Sequence, residues 1–248
     1  MRLKDHVIIV TGAAQGLGRA YARRIAQEGA KLVICDLQDC SETEALLKQE
    51  GAEVLALKVD VSDEDQTKDM AKQAFDRFGR IDGLVNNAGM IQNLGPANLL
   101  DVDLKIWDRV MAVNIKGPFL CTRAVFPYMR DQGRGKIVNC GSGIWLHMAR
   151  TVTGSNPQYV VSKAAVTGLT RSLAREVGAH NININTLAPG FTEAYLNEED
   201  QPAVDADRAF GRKGRPQDIT GTLVFLLSDD SDFVTGQMVL VNGGMETV

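Results

Sequence analysis

A tyrosine and a lysine stand four residues apart in the segment from Tyr159 to Lys163. The segment reads as the start of a helix, where positions i and i+4 share a face, so the Lys163 ammonium can lie close to the Tyr159 phenol. Lowering the pKa of a phenol from ~10 by roughly 3 units requires about 4 kcal/mol. One cation at about 4 Å in a partly screened site supplies roughly that much. The spacing is compatible with an acid–base tyrosine, although it also occurs in helices that have no such role.

The composition is that of an ordinary globular chain. The 248 residues include 44% hydrophobic residues and carry a formal net charge of -4, which suits one α/β domain over residues 1–248. Lys and Arg are scattered, which argues against a nucleic-acid or membrane partner. The sequence shows neither a signal peptide nor a run able to span a bilayer, so we expect a cytoplasmic protein. Four cysteines without a C-x-x-C pair predict neither a metal site nor disulfides.

Short β-branched runs alternate with amphipathic helical stretches, a pattern that is typical of parallel strands joined by crossover helices. Helices are predicted over Arg19–Glu28, over Glu42–Glu50 and from Ser62 to Phe78, with glycines near their ends. The pattern predicts a doubly wound α/β sheet of about seven parallel strands with helices on both faces. The predicted strands are Val7–Val10, Lys31–Cys35, Glu53–Val59, Gly83–Asn86, Lys136–Cys140, Ile182–Leu187 and Met238–Val241.

In such a sheet, ligands bind beyond the carboxyl ends of the strands. Gly12, Gly16 and Gly18 fall between the first strand and the first helix, where small residues let a pyrophosphate approach the helix N-terminus. Asp36 ends the second strand, at the position where a carboxylate meets the adenosine ribose hydroxyls and repels a 2′-phosphate. Because Gln15 adds no positive charge there, NAD is the expected cofactor. The alternative is that the glycines only form a turn and that Asp36 is only a polar residue at the end of a strand.

Eight motifs follow one another in a fixed order after the strands. They are Thr11-Gly12 to Gly18, Asp60-Val61, Asn86 to Gly89, Asn114, Ser142, Tyr159 to Lys163, Pro189-Gly190 and Gly243-Gly244. With these motifs the chain resembles the short-chain dehydrogenase/reductase family from residue 3 to its C-terminus. The resemblance implies a Rossmann-like fold, a nicotinamide cofactor and a homotetramer.

The resemblance also implies residue roles. Tyr159 would be the general base in oxidation, Ser142 would hold the substrate oxygen, and Lys163 would bind the nicotinamide ribose. Asn114 would hold a water for proton relay. The expected cofactor contacts are Gly12, Gln15, Gly16, Leu17, Gly18, Asp36, Asp60, Val61, Asn87, Ala88, Gly89, Tyr159, Lys163, Pro189, Gly190 and Thr192.

Two segments, about 143–158 and 191–212, are predicted to cover the substrate. The first is a few residues longer than the commonest form of the family, which leaves open whether Ser155 replaces Ser142. Trp145, Met148 and Tyr195 are the expected substrate contacts. The alternative for Trp145 is that it packs a subunit contact.

Within the family, the sequence looks most like the aryl-ethanol dehydrogenases. The expected activity is therefore NAD-dependent interconversion of a secondary alcohol and a ketone, with an aryl-ethanol and its aryl ketone as the substrate pair. The alternatives are a 3-oxoacyl-thioester reductase and a cofactor-sensing protein without turnover.

Overall fold

Seven strands form one parallel sheet in the computed structural model, which describes residues 1–95, 99–146, 156–192 and 208–245. The strand order is β3-β2-β1-β4-β5-β6-β7. The strands are β1 (Val7–Thr11), β2 (Lys31–Asp36), β3 (Val54–Lys58), β4 (Gly83–Asn86), β5 (Gly135–Cys140), β6 (Ile182–Pro189) and β7 (Met238–Val241). The predicted Rossmann-like sheet is confirmed.

Helices cover both faces of this sheet. They are α1 (Gly16–Gln27), α2 (Ser41–Gln49), α3 (Glu64–Phe78), α4 (Leu104–Met111), α5 (Gly117–Gln132), α6 (Pro157–Gly178) and α7 (Pro216–Leu227). Helices α1, α2 and α7 pack on one face, and α3, α5 and α6 pack on the other. A π-helical turn, Ala112–Lys116, joins α4 to α5. Over the described residues, no helix has both the length and the apolarity needed to cross a membrane.

The central strand β1 explains why the sheet is covered on both sides. All five of its residues are buried. Ile8 and Val10 belong to the core beneath α1 and α7, whereas Ile9 belongs to the core beneath α3 and α5. Successive side chains point to opposite faces of a strand, so a continuous apolar run requires a helix layer on each face.

The start of α3 differs from the predicted one. The helix is capped by Asp63, whose side chain accepts hydrogen bonds from the backbone N–H groups of Asp65 and Gln66 at 3.0 and 3.1 Å. Ser62 instead turns back and donates its hydroxyl to Asp60 at 2.6 Å. Both Ser and Asp are good N-cap residues. Asp63 is the cap here because the Ser62 hydroxyl is bonded to Asp60. The helix ends at Gly79, which has a left-handed φ of 75°.

The strand order places a crevice beside β1. Strand β1 pairs with β2 on one side and with β4 on the other, so the chain reverses its winding direction at this point. The helices that follow β1 and β4 cover opposite faces of the sheet, and a gap is left at the carboxyl edge. Two of the motifs identified in the sequence, the glycine loop and Asn86 to Gly89, lie at the ends of the two strands that border this gap.

Candidate active site

A cavity of about 860 Å³ opens at the carboxyl edge of the sheet, within the size range of small-molecule sites. The predicted site residues that line it are Gly12, Gln15, Gly16, Leu17, Asp36, Asp60, Val61, Asn87, Ala88, Gly89, Ser142, Trp145, Tyr159, Lys163, Pro189 and Gly190. Gly18, Asn114 and Thr192 are not part of this lining. Met148, Ser155 and Tyr195 lie outside the described residues.

The glycine loop is packed so tightly that side chains are excluded. A Cβ on Gly18 would lie 1.9 Å from the Gly12 carbonyl oxygen and 2.7 Å from Asn87 Nδ2. Gly12 has a φ of 67°, and a Cβ there would lie 2.7 Å from Ala88 Cα. The loops after β1 and β4 thus meet backbone to backbone. This leaves a cradle of main-chain groups at the N-terminus of α1, which fits a pyrophosphate.

Thr11 joins these two loops. Its Oγ1 accepts hydrogen bonds from the backbone N–H groups of Asn87 and Ala88, both at 3.0 Å, and donates to the Val85 carbonyl at 3.3 Å. Asn87 Nδ2 donates in return to the carbonyls of Thr11 and Gly12, each at 3.0 Å. Sequence reasoning assigned no role to Thr11. The available signal was its place at the end of β1, next to the glycines.

Asp36 lies at one end of the cavity. Its Oδ2 accepts a hydrogen bond from the Ala14 backbone N–H, and its Oδ1 accepts one from that of Gln38, both at 3.0 Å. These two bonds hold the carboxylate at the cavity edge and leave each oxygen with further acceptor capacity. The neighbouring lining residues Gln15, Leu37 and Gln38 carry no charge. This end is therefore suited to a group that donates hydrogen bonds and carries no negative charge.

The Asp60 carboxylate accepts hydrogen bonds from two side chains, and the sequence analysis had not linked either of them to Asp60. Its Oδ1 accepts from the Ser62 hydroxyl at 2.6 Å, and its Oδ2 accepts from Arg109 at 2.7 Å. Partial burial opposes ionisation of the carboxyl, but the hydrogen bonds from Ser62 and Arg109 outweigh it and hold the pKa of Asp60 below its usual value. Arg109, from α4, also lines the cavity. No spacing in the sequence indicated it.

Tyr159 and Lys163 meet at the opposite end of the cavity, in the first two turns of α6. The Lys163 Nζ lies 5.8 Å from the centroid of the Tyr159 ring. It also donates a hydrogen bond to the Cys140 carbonyl at 2.8 Å, which anchors it to the end of β5. Burial lowers the pKa of Lys163 from its ordinary value. An ammonium has three N–H donors, so two remain for a ligand.

Ser142 follows β5 on the same side of the cavity. Its Oγ accepts a hydrogen bond from the Ile144 backbone N–H at 3.2 Å. This bond orients the hydroxyl oxygen and leaves its own proton to be donated to a substrate oxygen. Beneath it, burial raises the pKa of the Cys140 thiol to about 12. Tyr21 of α1 also lines the cavity, and the sequence analysis assigned it no role.

Asn114 lies in the π-helical turn and connects three parts of the site. Its Oδ1 accepts from the Met90 N–H at 2.7 Å, and its Nδ2 donates to the Met90 carbonyl at 3.1 Å and to Ser162 Oγ at 3.0 Å. Ser162 in turn donates to the Tyr159 carbonyl at 2.8 Å. Both N–H donors of the Asn114 side chain are therefore used, and only its oxygen has capacity left for a water.

Thr192 is buried beside a second, smaller cavity of about 170 Å³ that it shares with Gly190 and Phe191. It forms a β-bridge with Gly214. The structure thus places the Thr192 side chain next to the cofactor-sized cavity rather than in its lining. Within the described part of the chain, no group of three His, Cys, Asp or Glu residues is arranged to hold a metal ion.

The lining beyond Tyr159 is largely apolar. Ile91, Leu94, Ile144, Trp145 and Phe191 contribute to it. The polar residues Gln92, Asn93 and Asn156 also lie there. The fully buried Gln158 donates a hydrogen bond from Nε2 to the Leu94 carbonyl at 2.9 Å, which ties this loop to the first turn of α6. A mainly apolar group with few polar atoms fits this end.

Comparison with known proteins agrees with this geometry. The family model described as "Enoyl-(Acyl carrier protein) reductase" matches residues 12–246. The chain is 41% identical to (2S)-[(R)-hydroxy(phenyl)methyl]succinyl-CoA dehydrogenase subunit BbsD of Thauera aromatica, over 98% of both chains. It is 38% identical to the 3-oxoacyl-[acyl-carrier-protein] reductase FabG of Thermotoga maritima, over 99% of both. The crystal structure of levodione reductase superposes with a TM-score of 0.89 at 34% identity, covering 98% of each chain.

Proposed function

The chain belongs to the short-chain dehydrogenase/reductase family, and we propose that it is an NAD-dependent oxidoreductase that interconverts an aryl-substituted secondary alcohol and its ketone. The observation that carries the proposal is one continuous cavity. It has Asp36 at one end and Ser142, Tyr159 and Lys163 at the other. A dinucleotide laid between these ends brings its reactive ring to the acid–base residues.

The residues present fit a nicotinamide dinucleotide. The cradle at Gly12 and Gly18, which a Cβ would fill, suits the pyrophosphate. Asp36 suits the two ribose hydroxyls of NAD, and its charge opposes the 2′-phosphate of NADP. Asp60 and Val61 would border the adenine, and two N–H donors of Lys163 are available to the nicotinamide ribose. When bound, the cofactor supplies hydride transfer.

The chain's own residues manage the proton. Oxidation of a carbinol requires its hydroxyl proton to leave, so a base must lie within hydrogen-bond reach of that oxygen. Tyr159 is the proposed base, and the positive charge of Lys163 favours its phenolate form. The Ser142 hydroxyl donates to the substrate oxygen and orients it. Asn114 bonds both Met90 in the loop after β4 and Ser162 of α6, and it offers its remaining oxygen capacity to a relay water.

The substrate class follows from the apolar end of the cavity. Burying an aryl group there would contribute roughly 2–3 kcal/mol, enough to favour it over a short aliphatic group by tens to a hundredfold. The name of the Thauera relative specifies a hydroxy(phenyl)methyl group, which is an aryl carbinol. Trp145 is the proposed aryl contact. Met148, Tyr195 and the coverage of the substrate by segments 143–158 and 191–212 stay predictions.

A 3-oxoacyl-thioester reductase is the second candidate. It is supported by the Thermotoga relative, whose name gives that activity, and by the coenzyme A ester in the name of the Thauera relative. A reductase that draws on NADPH would need positive charge at the adenosine ribose, and Asp36 occupies that position. A cofactor sensor without turnover is disfavoured because the chain keeps Tyr159, Lys163 and Ser142 together.

A cytoplasmic homotetramer is part of the proposal. Leu104 of α4, Phe119 of α5 and Phe233, ahead of β7, have exposed apolar side chains. Such side chains on helices and near the C-terminus support subunit contacts there.

A substrate panel tests the proposal. We would compare 1-arylethanols, 2-butanol and a 3-hydroxyacyl thioester with NAD and NADP, and follow the absorbance of the reduced cofactor. The expected result is a kcat/KM highest for an aryl-ethanol with NAD. Tyr159→Phe should abolish turnover and still bind NADH, because only the proton-transfer group is lost.

The outcomes separate the parts of the proposal. Faster turnover of the thioester or of 2-butanol than of every aryl compound would remove the aryl assignment and leave the dehydrogenase. A Tyr159→Phe protein with a tenth or more of the wild-type kcat would show that the base is misassigned.

A further inference from the structure

Arg19 is the first cationic residue after the glycine loop, and it lies one residue away from Asp36 in the hydrogen-bond network. A terminal nitrogen of its guanidinium donates to the Ala14 carbonyl at 2.6 Å. The Ala14 backbone N–H donates in turn to Asp36 Oδ2 at 3.0 Å. The Arg19 charge therefore lies close to whatever binds at the adenosine ribose, although its side chain does not line the cavity.

Arg19 is nevertheless fully engaged within the protein. Its two terminal nitrogens donate to the two oxygens of Glu42, each at 2.8 Å, and its Nε donates to Thr43 Oγ1 at 2.9 Å. With the bond to Ala14, four of its five N–H donors are used. The buried Thr43 hydroxyl lies 3.0 Å from the Ala13 carbonyl, so the start of α2 is fixed against the glycine loop.

Glu42 therefore changes the charge beside the ribose. An arginine fork is the side chain best suited to a phosphate, both by charge and by its paired donors. Here the fork faces Glu42, and the charges of the two side chains cancel. The side chains of Arg19, Glu42 and Asp36 together therefore carry a net negative charge, equal to that of Asp36 alone.

We propose that Glu42 is a specificity-determining residue for the cofactor, because it holds Arg19 away from the position where a 2′-phosphate would bind. The inference deepens the proposed function and rests on its preference for NAD over NADP. In this arrangement the preference has two sources. Asp36 repels the 2′-phosphate directly, and Glu42 withholds the arginine that would attract it.

The test is Glu42→Gln, which keeps the side-chain length and removes its charge. We would measure kcat/KM for NAD and NADP with the same alcohol at low salt, and the dissociation constant of NADPH from fluorescence. The expected NADP-to-NAD ratio rises roughly two- to tenfold, the order expected when one positive charge near a dianion is no longer cancelled in a water-like dielectric. The gain should shrink at high salt, and adding Arg19→Gln should remove it.

Glu50→Gln is the matched control. Glu50, which directly follows α2, pairs with Arg23 of α1 at 2.6 Å, but it lies about 12 Å from Glu42 along the helix direction. Its removal should leave the cofactor ratio unchanged.

Two results overturn the inference, and they are distinguishable. If Glu42→Gln has the same ratio as Glu50→Gln and wild type, Glu42 has no role in cofactor choice while the NAD preference stands. If wild type already uses NAD and NADP equally, the proposed cofactor preference fails, and the inference fails with it.

Discussion

The same substitution, glycine to alanine, should have opposite effects in two helices of this protein. Gly18 lies in α1 and Gly221 in α7. Nothing lies within 4 Å of a Cβ built on Gly221, whereas a Cβ on Gly18 would lie 1.9 Å from the Gly12 carbonyl oxygen and 2.7 Å from Asn87 Nδ2. Alanine favours a helix over glycine by roughly 0.5–1 kcal/mol, and Gly221→Ala should gain that amount.

At Gly18 the steric term is larger than the helical gain. The Gly12 carbonyl oxygen and α1 must move apart by more than 1 Å to restore van der Waals contact, and overpacking of this kind costs about 1–3 kcal/mol. For a chain of this length, each 1 kcal/mol shifts the Tm by about 2–4 °C. We expect Gly18→Ala to lower the Tm by up to about 10 °C once the helical gain is subtracted, and Gly221→Ala to raise it by about 1–4 °C.

Cofactor binding provides the second measurement. Gly12 and Asn87, which the new methyl group displaces, line the cavity, so Gly18→Ala should weaken NADH binding at least tenfold, while Gly221→Ala should leave it unchanged. Thermal unfolding without ligand and fluorescence titration with NADH separate the two effects. A Gly18→Ala protein with wild-type Tm and wild-type NADH affinity would refute the argument that backbone contact requires glycine here.

Two further predictions concern buried groups. Asn114→Ala should lower the free energy of unfolding in urea by about 2–5 kcal/mol, since both backbone groups of Met90 lose the bonds to Asn114 and Ser162 Oγ loses the bond that it accepts from Asn114. The control is Ser172→Ala, which removes an exposed hydroxyl from α6. An equal effect of the two substitutions would contradict the reasoning. Burial raises the pKa of the Cys40 thiol to about 11 and that of Cys121 to about 12, so thiolate-directed reagents at pH 8 should label the native protein far more slowly than the unfolded one, and rapid native labelling would contradict this. Because these pKa values are raised in the folded state, their contribution to stability should be present below about pH 8.5 and be lost as pH rises towards 12.

The sheet could be predicted because its signal is local. Runs such as Val7–Val10 and Ile182–Leu187 are buried on both faces, so their apolar, β-branched composition is visible without any knowledge of the neighbours. The residues after these strands could then be assigned to one edge by the geometry of parallel sheets alone. All seven predicted strands are present, with ends that differ by at most two residues.

The contacts that complete the site were harder to predict because they join distant parts of the chain. Arg109 reaches Asp60 across 49 positions, and Thr11 reaches Asn87 across 76. Neither the residue types nor their spacing in the sequence indicates that such residues form a pair. The N-cap of α3 was hard to predict for the same reason. Ser62 donates its hydroxyl to Asp60 instead of capping the helix, and Asp60 is itself hydrogen-bonded by Arg109.

A row of buried polar side chains below the cavity explains how the acid–base residues keep their positions. Asn86 of β4 donates to Asn139 of β5 at 2.8 Å, Asn139 donates to Thr170 of α6 at 2.9 Å, and the Thr170 and Thr186 hydroxyls are 2.7 Å apart. Thr170 lies seven residues after Lys163, which puts both on one face of α6. Sliding α6 along the sheet would break these buried bonds at about 1–3 kcal/mol for each group left unpaired. The row therefore fixes the register of α6 over β4, β5 and β6, and with it the place of Lys163 beneath the cavity.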